Sequence, residues 1–338
     1  MSVHAEPRIA PELYMKKTTA LLALTLTTLG LVTSLTSAAG SLYPVVLGDR
    51  WGFVDKTGNL VVNPQFERTE PFASGLAAFR LGKKWGYLDA TGKIVVNPQF
   101  ESAAPFSGGL AAVELASRFG YINPEGQYVI NPQFDAAGPF VDGHAVVRLK
   151  HRYGYVDKTG TLTINPQFDS GGDFSEGLAA VELGSRWGFI DSTGKLAINP
   201  QFDKAEAFSG GLAAIKLNKR WGFVDKTGKI VINPQFEEVH GCVKGLAPVR
   251  VGSRWGYVDG TGKLVINPQF DDADAFAPDL ARVKLAGRWG FIDKNGKYTI
   301  NPQFDDAASF ADGLARVKIS RKFGYIDETG RFVWNPAN

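Results

Sequence analysis

Between Leu76 and Leu81 the chain reads Leu-Ala-Ala-Phe-Arg-Leu, a short apolar run broken by one charge. Two-residue alternation puts Ala77, Phe79 and Leu81 on one side and Arg80 on the other, the pattern of a half-buried strand. A tight turn at Gly82-Lys83 leads into a second strand, Trp85-Gly86-Tyr87-Leu88-Asp89, with Trp85, Tyr87 and Asp89 on one face. Glycine inside a strand marks a bulge or a close backbone approach, and close packing of a neighbouring repeat is expected on Gly86. Asp89-Ala90-Thr91-Gly92-Lys93 forms a hairpin loop that needs one residue of positive φ. The third strand, Ile94-Val95-Val96, ends in Asn97-Pro98-Gln99-Phe100. Proline lacks an amide donor, so it closes a ladder or sits at an edge.

This pattern recurs. Aromatic-Gly pairs stand at 51, 85, 119, 153, 187, 221, 255, 289 and 323, each 34 residues from the last, with no insertion or deletion. A fixed period of this size points to solenoids, propellers or arrays. Parity adds a constraint, because three antiparallel strands leave the chain on the far side of the unit. The segment Glu101–Gly109 must therefore return across it, as an irregular fourth strand pinned by Phe106. The equivalent positions are Phe72, Phe140, Phe174, Phe208, Cys242, Phe276 and Phe310. The expected fold is all-β: nine three-stranded meander repeats in an open superhelical, solenoid-like stack. A closed, propeller-like ring is the alternative, disfavoured because nine units exceed the usual range of about four to eight blades.

Composition changes this picture only at one end. The chain is 44% apolar and 21% charged with net charge +3, a balance that makes no case for nucleic acid. One cysteine, Cys242, excludes an internal disulfide and a cysteine-based metal site. Residues 15–39 differ from the rest. Lys16-Lys17 precedes an uncharged apolar run from Thr18 to Leu35, followed by Thr36-Ser37-Ala38-Ala39-Gly40. That is the order of a signal peptide, with cleavage expected near Ala38 or Ala39 and no membrane span in the mature chain. Residues 1–14 are expected to be an over-extended start, and residues 40–338 the array.

Trp-Gly-(Phe/Tyr)-(Ile/Val)-Asp, Thr-Gly-Lys, Ile-Asn-Pro-Gln-Phe and Phe-Ser-x-Gly-Leu-Ala, recurring in register over residues 43–338, closely resemble the bacterial WG (KWG) repeat family. Departures are local: Phe119, Tyr153 and Phe323 replace Trp, Asn123 replaces Asp, and Asp279 replaces Gly. The resemblance implies a bacterial β-rich array and no particular activity.

Candidate chemistry is sparse. Cys242 fills the phenylalanine column and reads as a small core residue. His144, His151 and His240 share no metal-ligand spacing. The aspartates that follow each Trp-Gly strand, Asp89 and its counterparts, recur too regularly for catalysis and suit turn hydrogen bonds. A basic residue precedes every aromatic-Gly pair, including Arg118, Arg152, Arg186, Arg220, Arg254 and Arg288, and an acidic column follows every Asn-Pro-Gln-Phe. These columns form either inter-repeat ion pairs or a groove for an anionic polymer, and the six arginines are the candidate ligand contacts. No catalytic residue, metal or cofactor is expected. The reading is an exported, non-enzymatic binding or scaffolding surface at the cell envelope, with a protein or anionic envelope polymer as partner. The alternative is an envelope-polymer hydrolase with a repeat-built site.

Overall fold

The structure, a computed structural model, describes residues 41–337. The expected signal peptide and the stretch before it lie outside the described residues. All 35 elements are strands, arranged as nine consecutive antiparallel sheets. The first sheet holds β1 (Tyr43–Leu47), β2 (Arg50–Val54) and β3 (Leu60–Phe66). The second holds β4 (Arg68–Thr69), β5 (Leu76–Leu81), β6 (Lys84–Asp89) and β7 (Ile94–Phe100), in that spatial order. The remaining seven sheets repeat this four-strand plan. The three-stranded meander is thus joined by the return segment as the irregular fourth strand that parity required. The return segment pairs with the next sheet, as Arg68 with Arg80 and Thr69 with Phe79.

The glycine of the aromatic-Gly pair is buried under its own sheet rather than a neighbouring repeat. Trp85 faces Phe100 and Tyr87 faces Val96, so Asn97-Pro98-Gln99 bulges outward opposite Gly86. A Cβ on Gly86 would lie 2.4 Å from the Val96 carbonyl oxygen and 2.9 Å from the Pro98 nitrogen. Only glycine leaves room for that bulge. The loop glycine does contact its neighbour: Gly92 has φ +85° and sits against the Val62 side chain of the first sheet.

Between sheets the cores are aromatic. Phe106 of the third sheet meets Tyr87 of the second at 4.9 Å between ring centroids, and Phe140 meets Tyr121 at 4.8 Å. The Tyr87 hydroxyl donates to the Ala104 carbonyl, and Tyr121, Tyr155 and Tyr257 make the same bond to the sheet that follows each of them. Each middle strand is therefore covered on both faces. Leu76 to Phe79 are all buried, which corrects the half-buried expectation for this run.

The open stack is also corrected, because the ends meet and the alternative, a closed ring, is the fold. The Tyr43 hydroxyl donates to the Asp312 carbonyl at 2.7 Å, and the Tyr325 hydroxyl donates to the Pro44 carbonyl at 2.8 Å. Tyr43, Val45, Val54, Leu314 and Tyr325 form one buried cluster across the seam. Gly58 abuts Val333 much as Gly92 abuts Val62. Closure buries the apolar faces that an open stack would leave at its two ends. The sheets converge along their return strands. Ser107 Oγ donates to the Phe140 carbonyl, Ser175 Oγ to Phe208 and Ser209 Oγ to Cys242, each one sheet on. That edge faces the axis, and the Asn-Pro-Gln bulges mark the perimeter.

Candidate functional site

One end of the ring carries the two-residue hairpins between the first long strand and the Trp-Gly strand. In six of the nine both central residues have positive φ, as at Asn218 (49°) and Lys219 (67°), and in the other three only the leading glycine does, as at Gly82 (60°); both forms have the twist that suits adjacent strands. The basic column opens the strand after this hairpin, and the acidic column follows each buried phenylalanine at the same end. The two meet. Arg118 pairs with Asp135, Arg152 with Asp169, Arg186 with Asp203, Arg220 with Glu237, Arg254 with Asp271 and Arg288 with Asp305. Lys84 and Glu101 form a longer pair at 3.7 Å.

The carboxylate also reaches the hairpin of the following sheet. Asp135 accepts the Lys150 amide at 2.8 Å, Asp169 the Gly184 amide at 2.8 Å and Glu237 the Gly252 amide at 3.1 Å. The Ser117 amide, foremost, and Lys84 hold the exposed Glu101 carboxyl below its ordinary range, against a smaller penalty from burial. Each acid thus ties one sheet's arginine to the next sheet's turn. The guanidinium side chains remain 48–52% exposed, so their outer N–H groups stay free to meet a ligand.

The rim is not uniform. Between the third and fourth sheets it opens into a 980 Å³ groove lined by Arg118, Gln133, Asp135, Arg148, Lys150 and His151. Asp135 is the one carboxylate in this lining, and it is already paired with Arg118. Arg148 Nε is buried without a hydrogen-bond partner among the described residues. The groove therefore carries positive charge in excess.

Cations do lie over the repeat aromatics, but among the described residues not from the basic column. Lys216 sits 5.5 Å from the Trp221 ring, Arg282 4.5 Å from Trp289 and Arg316 4.8 Å from Phe323. On the axial side, His240 stacks on Trp255 at 4.9 Å with the rings 3° from parallel. Its neighbour Glu206 is pushed up by burial, an effect that His240 partly offsets. Burial also raises Asp173, which in turn adds to the burial that raises the Tyr121 and Tyr155 phenols. Arg282 pairs with Asp274 there and donates to the Ala307 carbonyl. His144 lies against Phe174 instead, and His151 sits on a hairpin, so the three histidines do not converge. Cys242 is buried in the place of the phenylalanine, within the Phe223 cluster.

At the opposite end, the aspartate of each Trp-Gly strand organises its loop. Asp191 Oδ1 accepts from the Thr193 amide at 2.9 Å, the Thr193 hydroxyl at 2.6 Å and the Lys195 amide at 3.1 Å. That end also holds a 630 Å³ groove between the seventh and eighth sheets, with Leu246, Val265, Phe276 and Leu280 in its lining. Asp279, the residue that breaks the glycine column, pairs with Lys244 at its rim. No group of acidic, histidine or cysteine side chains able to hold a metal ion occurs among the described residues. No helix among them is long and apolar enough to cross a membrane.

Comparison with known proteins gives a family and a fold. The model of the WG containing repeat matches residues 51–85, 85–117, 119–150, 153–187, 187–221, 221–255, 255–289 and 289–322. No curated protein matches the sequence. Among solved structures, one described as a eukaryotic initiation factor is similar at 13% identity, with a TM-score of 0.60, covering 87% of this chain and 95% of its own. The dihydro-heme d1 dehydrogenase NirN reaches a TM-score of 0.48 at 15% identity over 87% and 72% of the two chains. Apo AztD from Citrobacter koseri reaches 0.44 at 12% identity over 86% and 92%. The likeness to the first of these concerns the fold alone.

Proposed function

This chain belongs to the WG containing repeat family, and on that premise we propose that it is a non-enzymatic binding and scaffolding surface exported to the cell envelope. Its partner is a protein or an anionic envelope polymer, held along the arginine rim. The observation that carries this reading is the 980 Å³ groove, where Arg148, Lys150 and His151 stand beside an arginine whose charge is already met. A polymer anchored there passes further exposed guanidinium groups at each repeat, and several weak contacts on one chain gain avidity. Lys16-Lys17, the apolar run and the small residues up to Gly40 support export.

The test is titration of the protein with an anionic envelope polymer at two salt concentrations. Affinity is expected to fall as salt rises, since exposed charges are screened. Arg148→Glu with Lys150→Glu should weaken binding most, and Arg186→Glu, Arg220→Glu and Arg254→Glu together should weaken it further than any one of them. Salt-independent binding that survives both sets removes the rim from the account. Turnover of the polymer removes the non-enzymatic reading. Intact mass of the protein from its own cells tests export, and retention of residues 15–39 would contradict it.

A further inference from the structure

The nine repeats act as an internal record of which positions are free to change. Most of the constant columns hold the fold together. The strand glycine admits the bulge, the loop aspartate caps its turn, and the rim acid joins two sheets. Two constant columns do nothing of the kind. The asparagine and glutamine of Asn-Pro-Gln-Phe are the same in eight repeats, and both are exposed in every one. Among the described residues their side chains make one hydrogen bond in all, from Gln269 Nε2 to the Asn267 carbonyl at 3.3 Å. Backbone strain does not require asparagine, because none of these positions has positive φ. Nor has the array lacked time to diverge. The exposed second residue of the same strand has become Val, Thr or Ala, and the charged column of the first strand has changed sign.

From this we propose that the perimeter is a second binding surface, for a neutral, hydroxyl-rich glycan chain. Each carboxamide offers both a donor and an acceptor, the pairing that adjacent sugar hydroxyl or acetamido groups present. Not one charged side chain occurs in the eight seven-residue strands, which argues against an ionic partner. The proline argues against an added peptide strand, because it removes an edge amide in the middle of the segment. Beside the carboxamides lie exposed apolar groups, among them Val61, Val95, Tyr128 and Val265, suited to the C–H faces of sugar rings. The bulge opposite the strand glycine carries the asparagine and glutamine outward on a fixed backbone, so the contact recurs in eight of the nine sheets.

Native affinity electrophoresis of the full chain through gels containing laminarin, dextran or glycol chitin tests this. The protein should be retarded by at least one of the three, equally at low and high salt. Serine at Asn199, Gln201, Asn233, Gln235, Asn267 and Gln269 together should weaken retardation about ten-fold or more, since several hydrogen bonds and their avidity go at once. The isosteric set, Asp and Glu at the same positions, should do likewise with the thermal midpoint unchanged. The groove variant at Arg148 and Lys150 should be retarded like the parent, which separates this surface from the rim. Indifference to all three polysaccharides, or equal retardation of parent and both perimeter variants, overturns the proposal.

Discussion

At the residue scale, two glycines that both lie inside strands carry opposite consequences. A Cβ at Gly188 would lie 2.5 Å from the Ile198 carbonyl oxygen, whereas one at Gly172 would meet only the Ala180 oxygen at 3.7 Å. Gly188→Ala should therefore cost about 1–3 kcal/mol or more, as overpacking does, while Gly172→Ala should leave thermal unfolding nearly unchanged. Equal midpoints for the two variants would contradict the bulge as drawn. The loop aspartates set the acid limit. The Thr57 hydroxyl and the Asn59 amide, in that order, hold Asp55 down at about 2, and Asp191 and Asp225 are lowered by the same loop contacts. A carboxyl whose folded value is lowered stabilises the fold above its unfolded value and loses that effect as pH falls through the folded one. Denaturant midpoints should accordingly decline from about pH 4 towards pH 2. Asp191→Asn and Asp225→Asn together should flatten that decline, and an unchanged slope would count against these loops. The sequence made this column legible because an aspartate two residues before threonine has one common use. The partner of the basic column was less legible, since Arg118 and Asp135 are 17 residues apart and meet only once the strands are placed.

At the element scale, alternation located every long strand but misjudged what covers it. Leu-Ala-Ala-Phe reads as half-buried from its own period, yet a sheet with neighbours on both faces hides all four residues. The return strand was legible only through parity, because two paired residues such as Arg68 and Thr69 leave no periodic trace. Its phenylalanine and the tyrosine of the preceding sheet form the joint between elements. Burial raises the Tyr87 and Tyr257 phenols well above their ordinary value, so their stabilising contribution is present below about pH 10 and is lost as pH rises beyond it. Tyr257→Phe, which removes the hydroxyl and its bond to the Asp274 carbonyl, should cost about 1 kcal/mol at neutral pH and should reduce alkaline sensitivity. Unfolding midpoints at neutral and alkaline pH check both. An alkaline loss that is the same in parent and variant would contradict the role given to this joint.

At the scale of the whole molecule, the period told how many units there are but not whether the first would meet the last. That depends on the small rotation between sheets, which no single repeat encodes. At the seam two residues that depart from the repeat, Tyr43 and Pro44, meet Asp312 and the repeat tyrosine Tyr325. A closed ring shares damage. Trp255→Ala removes a ring that is 5% exposed and stacked on His240, and should cost about 3–5 kcal/mol. Hydrogen exchange should then show protection lost in all nine sheets, whereas an open array would lose it near the seventh. The most direct measurement of closure is crosslinking across the seam. Lys56 and Asp312 are both exposed, and the Lys56 Nζ lies 2.7 Å from where a Cβ on Gly313 would stand. Cysteines at 56 and 312, in a Cys242→Ser background, should be joined within one molecule by a short bifunctional thiol reagent even at high dilution. Cysteines at 56 and 176 should not. Failure to link 56 to 312 in the folded protein, or links that form only between molecules, would contradict the ring.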